Sequence, residues 1–140
     1  MPLPGEPTVL KILLDTHIIL WLFHEPERIP VPARRVLADL AHELWISPIS
    51  IWEILILAHR GRLTLKPDPE SWIRASLETA GFREAPLNTE VAIRSRTIAL
   101  SHEDPADRFL AATAAVFGLT LMTLDRTLRE CKEIDLLPLA

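Results

Sequence analysis

Four carboxylates stand where they could do chemistry together: Asp15, Glu53, Asp107 and Asp125. Asp15 closes the apolar run Val9-Leu10-Lys11-Ile12-Leu13-Leu14, and Asp125 closes Leu119-Thr120-Leu121-Met122-Thr123-Leu124. Both belong at the carboxyl edge of a buried sheet, where open α/β folds bind their ligands. Glu53 lies among Ile49, Ile51, Trp52, Ile54, Leu55, Ile56 and Leu57, a helix that is apolar all round and should be buried on several sides. A glutamate in such a place needs a metal, an arginine or the backbone as partner. Carboxylates gathered without cations repel and raise each other's pKa unless a metal ion collects them. Hard oxygen ligands favour Mg²⁺ or Mn²⁺.

Each acid also has a plainer role. Ser50 and Glu53 fit the Ser-x-x-Glu capping box, unless Ser47-Pro48 is the true helix start. Asp104 before Pro105 reads as an N-cap, and Asp107 in the first turn suits the helix dipole. Asp125 fits a turn residue pairing with Arg126 or Arg129, and Asp15 fits a cap for the helix beginning near His17. The set of four carries the metal reading; no single member does.

Other chemistries lack their signatures. His17, His24, His42, His59 and His102 form no i, i+4 pair of the zinc-protease kind. Glycine occurs only four times, and neither Gly-x-x-x-x-Gly-Lys-Ser/Thr nor Gly-x-Gly-x-x-Gly is present. The single cysteine, Cys131, excludes an internal disulfide and fits a reducing, cytoplasmic setting. A formal net charge of -4 argues against coating nucleic acid by charge alone, without excluding a nuclease. Arg60, Arg62, Lys66, Arg94, Arg96, Arg108, Arg126 and Arg129 remain possible phosphate contacts or solvated surface. The four tryptophans read as core or interface, with base stacking the lesser option.

With 140 residues, 49% of them hydrophobic, the chain is long enough for one domain with a real core and too short for two. Residues 1–8 read as a loose tail without the features of a secretory signal, and 9–140 as the domain. The longest uncharged stretch, Phe109 to Leu124, is shorter than the roughly 20 residues of a membrane span, and Gly118 divides it into helix and strand. Strands are expected over 9–15, 44–46, 82–86, 119–124 and, at the end, 134–139. Helices are expected over 16–23, 32–42, 48–59, 69–80, 89–98, 105–117 and 127–132. Alternation of this kind implies a three-layer α/β/α sandwich around a mostly parallel sheet of four or five strands.

The motifs Leu13-Leu14-Asp15-Thr16-His17, Ser47-Pro48-Ile49-Ser50-Ile51-Trp52-Glu53-Ile54, His102-Glu103-Asp104-Pro105-Ala106-Asp107-Arg108 and Leu121-Met122-Thr123-Leu124-Asp125 together resemble the PIN-domain ribonucleases. Within them the chain looks like the VapC toxins of type II toxin–antitoxin systems. The resemblance covers nearly everything after residue 8. It implies a Mg²⁺- or Mn²⁺-dependent endoribonuclease in which Asp15, Glu53, Asp107 and Asp125 bind the metal. It also implies supporting roles for Thr16 and Thr123 and a possible outer role for Asp104. Arg108 and Arg126, each adjacent to one of the acids, are placed either to hold the scissile phosphate or to pair with acids in the metal-free state. Ala106 departs from the bulkier residue common in this subgroup. The implied partners are RNA, a cognate antitoxin whose tail covers the active-site groove, and a second copy of the chain. A mean hydropathy of +0.19 fits such partners or simply a thick core.

Two rivals remain. A catalytically silent RNA-binding or scaffold member would be expected to have lost an acid, and none is missing. A receiver-type phosphorylation domain needs a lysine near the end of a late strand, and Lys132 lies past that place.

Overall fold

A computed structural model describes residues 9–101 and 103–139. The expected tail at 1–8 lies outside them, as does His102. Five strands form one sheet: β1 (Lys11–Leu14), β2 (Glu43–Ile46), β3 (Arg83–Glu84), β4 (Thr120–Met122) and β5 (Asp135–Leu136). The helices are α1 (Thr16–His24), α2 (Val31–Ala38), α3 (Pro48–His59), α4 (Pro69–Ala80), α5 (Thr89–Thr97), α6 (Pro105–Phe117) and α7 (Arg126–Arg129), with a 3-10 turn at Pro26–Arg28. The spatial order is β3-β2-β1-β4-β5, and every pairing is parallel. The chain winds outward on one side of β1 and then returns to build the other. The crevice between the ends of β1 and β4 is therefore the topological switch point.

Strand alternation divides the interior into two cores. Ile12, Leu14 and Met122 face one side of the sheet, against Ile18 and Ile19 of α1, Ala33 and Leu37 of α2, Ile54 of α3 and Ile73 of α4. Leu13 and Leu121 face the other, against Leu110, Ala111 and Ala114 of α6 and Leu128 of α7. Burial on both faces is why these strands are apolar throughout. Cys131 belongs to the second core as an ordinary apolar residue.

One local expectation is corrected. The second helix stops at Ala38, short of His42, because the Asp39 carboxylate captures the Ala41 N–H at 2.9 Å and turns the chain. Beyond that stop Leu40 is 99% exposed, and His42 accepts the Leu10 N–H on Nδ1 at 3.0 Å. Around α3, burial on several sides is observed: Ser50 and Ile54 are inside, Ile49 packs on one core and Ile51 and Leu57 on the other, and exposure is confined to one stripe of Trp52 (53% exposed), Leu55 and His59. No helix among the described residues is long and apolar enough to cross a membrane. The stretch before Leu124 divides at Gly118, whose φ of 64° ends α6 in the left-handed region.

Candidate active site

β1 and β4 run side by side with Leu14 opposite Met122, so the residues that follow each strand emerge together. Asp15 leaves β1 with its N–H still bonded to the Met122 carbonyl at 3.0 Å. Its side chain is 6% exposed. One carboxylate oxygen, Oδ1, accepts the Thr16 N–H at 2.6 Å and so caps α1; the other, Oδ2, accepts the Thr123 hydroxyl at 2.7 Å. Thr123 Oγ1 also accepts the Asp125 N–H at 3.0 Å. A single buried hydroxyl thus joins the ends of both central strands. Asp125 Oδ1 accepts the Leu128 N–H at 3.0 Å, the cap of α7.

Glu53 arrives from α3. The capping-box alternative fails, because Ser47 is the N-cap and accepts the Ile49 N–H at 3.1 Å. Glu53 Oε1 instead accepts the Thr16 hydroxyl at 2.5 Å, and Thr16 Oγ1 also lies 3.0 Å from the buried Ser50 Oγ. Thr16 and Thr123 therefore brace two of the acids. Asp104 caps α6 by accepting the Asp107 N–H at 3.2 Å, which places Asp107 in the first turn.

These elements meet at a cleft of about 620 Å³, lined by the carboxylates Asp15, Glu53, Asp104, Asp107 and Asp125. Its other walls are His17, Ile18 and Trp21 of α1, Arg28 and Leu124. Burial raises the Asp15 pKa above the usual carboxylate value, with the Thr123 hydrogen bond pulling the other way and the Asp125 charge adding to the rise. Glu53 is raised too, first by burial, then by the charges of Asp15 and Asp104, against the Thr16 hydrogen bond. The acids thus feel one another across the cleft. Among the described residues, no three acid, histidine or cysteine side chains are drawn tightly enough to grip an ion as they stand. Asp125, Asp104 and Glu53 are each tied to a local donor. The donor set nevertheless fits a hard divalent cation, being all oxygen, mutually repulsive and shared among four elements.

Arg108 does not face this cleft. It is 5% exposed, and its guanidinium donates to the carbonyls of Ser95 (2.7 Å), Leu100 (2.9 Å) and Ile98 (2.9 Å). The expected phosphate contact at Arg108 is therefore corrected to a clamp on the end of α5, made because a buried guanidinium must satisfy its donors. Arg126 is exposed on α7 and is not among the cleft residues. The arginine that does line the cleft, Arg28, went unread in the sequence. So did the cleft-facing positions of His17 and Trp21, although their i, i+4 spacing on the helix capped by Asp15 was a usable signal.

A sequence profile of the PIN domain matches residues 12–134. The chain belongs to the PIN-domain family. It is 36% identical over 121 residues to Ribonuclease VapC22 of Mycobacterium tuberculosis (strain ATCC 25618 / H37Rv), covering 84% of this chain and 89% of that one. In three dimensions this PIN domain is similar to VapBC2 from Rickettsia felis, solved bound to a DNA fragment from their promoter. The TM-score is 0.68 at 15% identity, over 91% of this chain and 98% of that one. FitAcB from Neisseria gonorrhoeae aligns with a TM-score of 0.62 at 25% identity, over 91% and 96% of the two chains. The five-stranded α/β architecture is thus that of the PIN domains found in VapBC complexes.

Proposed function

We propose that this PIN domain is a Mg²⁺- or Mn²⁺-dependent endoribonuclease acting in the cytoplasm as the toxin of a type II toxin–antitoxin system. The observation that carries this reading is the convergence of Asp15, Glu53, Asp107 and Asp125 on one cleft at the switch point of the sheet. Similarity to a VapC ribonuclease supports the substrate class. Asp15 and Asp107 would be the primary residues holding the metal, with Glu53 and Asp125 as completing ligands or as groups that orient the attacking water. A bound cation would supply water activation and neutralisation of charge on the phosphodiester. Thr123 and Thr16 fix the carboxylates of Asp15 and Glu53, and Asp104 holds the start of α6 so that Asp107 enters the cleft. The exposed Trp52 and Leu55 on α3 support a protein-binding face, for a second copy or a cognate antitoxin.

Purified protein with Mn²⁺ or Mg²⁺ is expected to cleave RNA internally. EDTA should abolish cleavage, and Asp107→Asn should reduce it by about 10²-fold or more. Equal cleavage by wild type and Asp107→Asn would refute the assignment, and a wild type that binds RNA without cutting it would favour a silent RNA-binding domain.

A further inference from the structure

The cleft presents five carboxylates and one arginine to a substrate that is itself a polyanion. Metal binding at the acids offsets the charge where the bond breaks. It does not offset the repulsion felt by the neighbouring phosphates. Arg94 and Arg96 are engaged with Glu133 and Glu103 at 3.5 and 3.3 Å, and Arg129 donates to the carbonyls of Thr123 and Leu137. Arg28 is placed differently. Its guanidinium carbon lies 4.8 Å above the centre of the Trp21 ring, and Trp21 and His17, 6.0 Å apart, line the same cleft.

The backbone under Arg28 is fixed. Ile29 beside it is buried in the first core, and the turn is closed by Arg28 N–H to Glu25 O and Ile29 N–H to Pro26 O, both 3.0 Å. Stacking on the indole holds the guanidinium plane while leaving edge N–H donors for a phosphate. The ion pair with Glu25, at 3.4 Å between exposed side chains, is a weak competitor.

We propose that Arg28, braced by Trp21, binds an RNA phosphate flanking the scissile one and so positions the strand across the acids. This rests on the ribonuclease reading above. Arg28 is a substrate-binding residue, and Trp21 is a positioning residue that acts through it.

Steady-state cleavage of a short single-stranded RNA in Mn²⁺, measured across a range of salt, tests the assignment. Arg28→Ala should raise KM about tenfold, the worth of one charge-assisted hydrogen bond, while kcat changes little. The salt slope of log kcat/KM should become shallower by about 0.7, one phosphate contact on a single strand. Arg28→Lys should restore the slope but only part of KM, because an ammonium keeps the charge and loses the stacked plane. Trp21→Leu should raise KM with the slope retained. The melting temperature and its rise with Mn²⁺ should be unchanged in Arg28→Ala. Wild-type KM and slope in Arg28→Ala would overturn the proposal and leave the ribonuclease reading intact. Loss of antitoxin inhibition alone would overturn it too, by reassigning the surface to a protein partner. A wild type that cuts no RNA would remove both readings.

Discussion

Thr123 concentrates the logic of the site in one hydroxyl. It donates to Asp15 and accepts from the Asp125 backbone, in a position with no solvent exposure. Replacing it with valine keeps the volume but leaves a buried carboxylate oxygen and a backbone N–H without that partner. Thr123→Val should therefore lower stability by about 1–3 kcal/mol. Because the lost bond orients a metal-holding acid, cleavage and Mn²⁺ affinity should also fall by roughly 10–100-fold. Chemical denaturation and a metal titration on the same protein separate the two effects, and a variant with unchanged metal affinity would show that Thr123 serves the fold alone. The acids themselves were legible in the sequence, because a charged residue ending an apolar run has few places to go. The arginines were not. Arg108 and Arg126 were chosen for adjacency to acids along the chain, yet consecutive helical residues point about 100° apart, so Asp107 can face the cleft while Arg108 faces the interior. Arg28 sits in an irregular turn where no periodicity assigns a direction.

Between elements, Arg108 replaces the missing backbone partners where α5 ends. The carbonyls of Ser95, Ile98 and Leu100 point inward with no strand to receive them, and one guanidinium reaches all three. Arg108→Ala should cost about 3 kcal/mol or more, as several buried carbonyls lose a charged donor together. Arg108→Lys should recover little, since a single ammonium cannot span three acceptors in the geometry of a planar fork. Urea unfolding of the three proteins checks this, and a lysine variant as stable as wild type would show that charge and not geometry is what α5 needs. Helix boundaries were readable wherever a side chain made the stop: Ser47, Asp68, Asn88 and Asp104 all cap the helices that follow them. Gly81 and Gly118 end two of those helices at φ of 65° and 64°. The overrun at α2 arose because Asp39 resembles an ordinary polar residue until its carboxylate is seen closing a turn on Ala41. The surplus of apolar residues on α3 fits, from sequence alone, either a partner surface or a thick core. Sequence reports hydrophobicity, and whether a core or another molecule covers it depends on packing.

At the scale of the whole molecule, the winding of the chain outward from β1 and back through β4 brings acids more than a hundred residues apart into one crevice, and the fold carries their repulsion as a cost. Asp15 and Glu53 both have raised pKa values, chiefly through burial. For such groups the folded state binds more protons than the unfolded state between the ordinary and the raised value. Their contribution to stability is present below the ordinary carboxylate value and lost as pH rises through the raised one. A divalent cation acts in the opposite sense, since it binds the ionised carboxylates and must displace any protons they hold. Added Mn²⁺ at about one hundred times its dissociation constant should stabilise the protein by about 2.7 kcal/mol near neutral pH. For a domain of this length that is a rise of roughly 9 °C in Tm. At the same Mn²⁺ concentration near pH 5, the rise should be clearly smaller, because protons then compete for the buried acids. Melting curves with and without Mn²⁺ at the two pH values decide the matter. A Tm shift that was absent, or that did not diminish on acidification, would mean that these carboxylates are not what the cation binds, and the nuclease reading would lose its chemical centre.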